Sequence, residues 1–132
     1  MNILNCLLCI YFIMNDNKKK IERLTIENYI WAIYIVIAFL NIYGDELVKK
    51  HLRSNDEVAN KKAVNLFRKI VIANIVIYLY FLGRNYSEWK ENNYDKKHLV
   101  RFIGSILVFV GTLCFFYFQS SINTEDGSLS NI

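Results

Sequence analysis

A chain of 132 residues, 54% hydrophobic and 21% charged, has length for one domain and is too apolar for a solvated linker. Its net charge of +4 comes from Lys and Arg at the edges of apolar blocks, with no aromatic-interleaved basic groove. That pattern excludes nucleic acid and points to anionic lipid headgroups.

Residues 1–14 read MNILNCLLCIYFIM. They are apolar like the middle of a signal peptide, but no basic stretch precedes them and no small-residue cleavage site follows. They are also short for a span. Met14 is followed by NDNKKKIERL, a polar, basic bacterial start. Two readings stand: residues 1–13 are an upstream extension ahead of a start at Met14, or residues 1–14 form a short N-terminal hydrophobic helix. Cys6 and Cys9 make a CxxC with no strand or basic neighbour, and they read as apolar thiols rather than a redox pair.

Three uncharged blocks follow, of 17 residues between Glu27 and Asp45, 14 between Lys69 and Arg84, and 23 between Arg101 and Glu125. A bilayer core of about 30 Å needs roughly 20 helical residues, with a lower limit near 17. The first and last blocks qualify. The middle one reaches full length if Arg68 and Lys69 lift their charges to the interface on long stems and the helix is counted from 65 to 86. The predicted fold is therefore all-α, a helical integral membrane protein with transmembrane helices over 28–44, 65–86 and 101–120, a single domain over 15–120, and a polar, disordered tail over 121–132.

Punctuation refines these elements. Gly44 after AFLNIY suits a glycine that closes a helix. The SNDE at 54–57 has capping-box spacing and predicts a helix start well before the membrane. Ala59, Ala63, Leu66, Phe67 and Ile70 then recur at helical spacing, while Lys61, Lys62, Arg68 and Lys69 fall seven apart in pairs on a neighbouring face. Residues 87–98 form a short polar connection whose Trp89 and Tyr94 suit the headgroup layer.

Orientation follows from the flanks. The last span has Lys96, Lys97 and Arg101 before it and no basic residue after it, and the first is preceded by Lys18, Lys19, Lys20 and Arg23. Both predict cytoplasmic N-terminal basics and an external tail. This layout leaves seven basic residues of the 44–69 connection outside. In the rival layout the middle block dips and returns, which puts both basic connections inside.

Within the membrane, Asn41 and Asn74 fall at similar depth in antiparallel helices and are predicted to share an interhelical hydrogen bond, the alternative being a neighbouring backbone group or interface water. Gly104, Ser105, Gly111 and Thr112 form two small-residue pairs seven apart, read as an intramolecular packing seam. Glu27, Arg84 and Arg101 are expected to meet at the inner surface, either as a network or as separately solvated groups. Together with Lys61, Lys62, Arg68 and Lys69 they are the predicted interfacial charges.

Chemistry is largely excluded by what these residues lack. His51 and His98 fall in polar connections without a second ligand at metal spacing, and no glycine loop or activated nucleophile is present, so no enzyme activity, metal or cofactor is expected. No charged residue interrupts the apolar blocks, which disfavours a proton-coupled carrier. The strings LNIYGDELVKK, YLYFLGRNY and RFIGSILVFVGTLCFFYFQ resemble small uncharacterised membrane proteins of low-GC Gram-positive bacteria. The resemblance covers residues 24–119 and implies topology and host type, without a mechanism. The expected function is that of a plasma-membrane binding, accessory or immunity-type protein with a membrane-protein partner. The alternatives are a holin-like pore former, against which the acidic tail counts, and a small oligomeric transporter.

Overall fold

A computed structural model describes residues 2–125, and side chains as far as 121. It consists of three α-helices, α1 (Ile3–Ser54), α2 (Glu57–Glu91) and α3 (Lys96–Glu125). No strand occurs among the described residues. All three helices are long and apolar enough to cross a membrane. Their apolar surface faces outward: Leu107, Phe115 and Tyr117 are 68%, 69% and 75% exposed. A helix apolar on all sides with so little of it covered needs lipid as its solvent. The chain thus has the fold class its composition predicts.

The chain divides into two compact units, Met1–Ile37 and Ala38–Ile132. In the first, α1 runs from Ile3 through Met14 and Asn15 without a break, so the short hydrophobic segment is helical and continuous with the basic stretch after it. Asp16 and Lys20 pair across one turn at 3.2 Å, and both are exposed.

In the second unit the 44–69 connection is a helical hairpin. Gly44 does not close a helix, because α1 continues to Ser54. The turn is made by Asn55, at φ 51°, the left-handed conformation that Asn tolerates. Its N–H donates to His51 O at 2.8 Å. The cap of α2 is Asp56 rather than Ser54: its carboxylate accepts from the N–H groups of Val58 and Ala59, both at 3.1 Å, while the Ser54 hydroxyl turns back to Lys50 O. The Ala59 N–H, above all, holds the Asp56 carboxyl below the usual range against the opposing pull of burial. His51 is buried, not solvated as its polar setting suggests, and its Nδ1 lies 3.2 Å from Asp56 O.

This hairpin holds a small core, with Ala63 and Val64 buried against Leu47, Val48 and Phe67. A Cβ on Gly44 would stand 2.6 Å from Phe67 Cζ, so the glycine serves close approach of α1 to α2. Lys61, Lys62, Arg68 and Lys69 are all exposed on the opposite side of α2.

The middle apolar block, 70–83, lies inside the unbroken 35 residues of α2, about 52 Å of helix at 1.5 Å per residue. A segment that dips into a membrane and returns needs a break that α2 does not have. The polar connection over 87–98 is largely helical too, since α2 ends at Glu91 and α3 starts at Lys96. Asn93 and Tyr94 carry φ of 55° and 57° between them. Asp95 then caps α3, accepting from the His98 N–H at 3.1 Å and lying 2.7 Å from His98 Nδ1. The imidazole is the main reason its carboxyl sits below the usual range. At the far end α3 takes in residues 121–125, the first part of the predicted disordered tail. The remainder of that tail lies outside the described residues.

Candidate functional site

The α2–α3 turn is fastened by polar and aromatic groups. Glu88 accepts from Arg84 Nε at 3.2 Å and from Arg101 Nη1 at 2.8 Å. The Arg84 and Glu88 side chains are only 8% and 13% exposed, so the carboxylate is nearly enclosed by the charges it balances. One turn away, Asn85 Nδ2 donates to the Ser105 hydroxyl, which itself donates to Arg101 O. Trp89 stacks on Phe102 at 5.7 Å, with Tyr86 against Phe102 and Tyr94 edge-on to Trp89. Trp89 and Tyr94 therefore build the turn as well as suiting an interface.

Sequence reasoning placed Arg84 and Arg101 together but missed Glu88, the group that joins them. The signal was present: Arg84 and Glu88 stand at the i, i+4 spacing that faces two side chains along a helix. Glu27, the third member of the predicted cluster, belongs to the N-terminal unit and is half-buried there.

Elsewhere in the C-terminal unit the helices border a half-open hollow. A cavity of about 790 Å³ is lined by Asn41, Asp45, Val48 and Leu52 of α1, by Ile70 and Asn74 among others of α2, and by Thr112, Phe115 and Gln119 among others of α3. The α1 positions recur at four and three residues, one stripe of a helix, and the other two helices contribute at similar spacing. Most of the lining is apolar.

Two lining amides are unsatisfied. Asn74 Oδ1 and Gln119 Nε2 are buried without a hydrogen-bond partner, and Gln119 is 7% exposed. An orphaned buried polar atom costs about 1–3 kcal/mol, and most such groups in folded proteins find a partner. The predicted Asn41–Asn74 hydrogen bond does not form: both line the cavity, but they are not bonded to each other. The Thr112 hydroxyl, by contrast, is satisfied by Val108 O at 2.9 Å. Gln119 was missed because a glutamine near the end of an apolar block reads as an interface residue.

The small-residue seam is also redrawn. A Cβ on Gly104 or Gly111 would meet nothing within 4 Å, so neither glycine admits a neighbouring helix. Gly111 and Thr112 line the large cavity, and Gly104 and Ser105 line a smaller one of about 290 Å³ beside Asn85. The two glycines leave room, while Ser105 meets α2 through Asn85.

Comparison with known proteins adds no relative: no family model, curated protein or solved structure matches the chain. The site must be interpreted from its own chemistry.

Proposed function

We propose that this chain is a small multi-pass protein of a bacterial plasma membrane that works by binding, as an accessory, regulatory or immunity-type component. The observation that carries this reading is the cavity of about 790 Å³ with buried, unpartnered amides on two of its walls. Ligand sites are mostly apolar hollows of about 300–1,000 Å³ with a few placed polar groups. In the proposed orientation the N-terminal basics are cytoplasmic and the α1–α2 hairpin is external, with Lys61, Lys62, Arg68 and Lys69 against anionic headgroups. The low-GC Gram-positive host belongs to the same proposal.

Controlled expression with a potential-sensitive dye tests the function. A binding protein leaves the membrane potential steady by itself, whereas abrupt depolarisation at a set time means a pore former and ends this reading. For orientation, the native cysteines are replaced and single cysteines introduced as Ser54→Cys and Asn92→Cys. An impermeant thiol reagent on intact cells should label the first and spare the second, and the reverse pattern inverts the topology.

A further inference from the structure

Resting on the binding role proposed above, we infer that the cavity between α1, α2 and α3 takes a single-chain amphiphile with a cationic head, its head at Asp45 and its chain along Ile70, Val71 and Phe115.

Size limits the occupant first. A helix with side chains, about 10–12 Å across and 5.4 Å in pitch, fills roughly 400–600 Å³ per turn. A half-open hollow of about 790 Å³ therefore takes in under two turns of a partner helix, and a transmembrane segment would leave most of its length outside it. At roughly 30 Å³ for a water-sized group, the same space holds about 25 non-hydrogen atoms, which suits one alkyl chain with a small head.

Charge selects the head. Among the described residues, Asp45 is the one charged residue lining the cavity. It is exposed and makes no ion pair among the described residues, although its neighbour Glu46 pairs with Lys49 at 2.7 Å. A carboxylate at the edge of an apolar hollow, with no basic residue in the lining, attracts an ammonium and repels a phosphate.

The amides supply the independent sign of a ligand. Gln119 is more than nine-tenths buried, and its Nε2 lacks an acceptor; Asn74 Oδ1 lacks a donor. Whichever way each amide is turned, it presents both a donor and an acceptor. A polar linkage next to the head, such as an amide or a hydroxyl, satisfies them. Neither amide is hydrogen-bonded to another helix, unlike Asn85, whose Oδ1 is also orphaned but whose Nδ2 reaches Ser105.

The test uses the full chain in lipid nanodiscs and three photoactivatable probes with the same amide-linked dodecyl chain, differing only in head: ammonium, hydroxyl and phosphate. The ammonium probe should cross-link at cavity residues such as Val71 and Phe115, saturably, and be competed by dodecylamine. Asp45→Asn should bring its labelling down about tenfold, to the level of the hydroxyl probe. Asn74→Leu and Gln119→Leu should each weaken labelling several-fold without lowering the thermal unfolding temperature, which separates a ligand contact from a folding role. Equal labelling by all three heads, still sensitive to Gln119→Leu, overturns the cationic class and keeps the binding role. No saturable labelling in the cavity by any probe overturns both, leaving water as the partner of the amides. Native mass spectrometry of protein taken from its own membrane distinguishes a resident cationic lipid, seen as added mass, from an external amphiphile, for which the protein emerges empty and then takes the probe.

Discussion

At the α2–α3 turn, Glu88 joins Arg84 to Arg101, Asn85 reaches Ser105, and Trp89 stacks on Phe102. Where Asn74 and Gln119 stand on the same two helices, buried amide atoms have no partner and the helices border a cavity. Orphaned atoms occur at both ends, since Asn85 Oδ1 and Trp89 Nε1 at the turn also lack a partner, but at the turn α2 and α3 are tied by a hydrogen bond and an ion pair as well. Polar groups in lipid are costly unless satisfied; the turn offsets its orphaned atoms with pairs that fix helix register, whereas Asn74 and Gln119 have no hydrogen bond to another helix in compensation. A binding site tolerates such a cost, because the ligand removes it.

The comparison breaks most directly at Glu88. Glu88→Gln removes the charge that joins Arg84 to Arg101 and should lower stability by about 2 kcal/mol, the scale of a charged hydrogen bond, in thermal or SDS unfolding. A change under about 0.5 kcal/mol would make the network a surface pair of little consequence. Gly44→Leu should cost a similar amount, about 1–3 kcal/mol, by driving a side chain into Phe67. Phe67→Ala in the same protein should recover part of that loss, and strict additivity would remove the contact from the argument.

A smaller effect is expected at the hairpin cap. Asp56→Ala should lower the unfolding temperature measurably, and Asp56→Asn much less near neutrality, since Asn also caps. The carboxyl of Asp56 is held below its ordinary value by the Ala59 N–H before any other cause. Its charged form is thus favoured in the folded state, and its contribution is full above the unfolded value and lost as pH falls through the lower folded one. The stability difference between the native chain and Asp56→Asn should therefore be flat from pH 7 to about 5 and shrink only below the ordinary aspartate value of about 3.9. A difference that changes between pH 7 and 6 would point to another group. Smallest of all, Gly104→Ala should be neutral or stabilise by up to about 0.5 kcal/mol, because the new methyl meets open space and the helix gains propensity. A clear loss would show that a second chain packs there.

How far these two regions were legible before the fold was known depends on distance along the chain. The helix through 65–86 was visible because charge is absent from a block of near-membrane length, and the helix start near residue 57 because short polar residues cluster before an apolar periodicity. Yet Ser54 and Asp56 compete for the same cap, and only the backbone path, with Asn55 in the left-handed region, assigns it to Asp56. Gly44 illustrates the same limit. A glycine before two carboxylates reads as a helix end, whereas the ring of Phe67, 23 residues on, makes it a point of close approach.

Composition and periodicity by themselves determined that this chain is all-α, that three segments suit lipid, and where the charges lie along them, because each property depends on neighbours within a turn or two of helix. Only tertiary structure decided that Glu88 ties Arg84 to Arg101, that Asn41 and Asn74 line a cavity without bonding, and that Gln119 is buried with an unsatisfied amide. Those outcomes depend on the rotation of each helix about its axis. Lipid is as apolar as the side chains it meets, so the apolar pattern leaves that rotation open, and the few polar and small residues set it through contacts between distant parts of the chain.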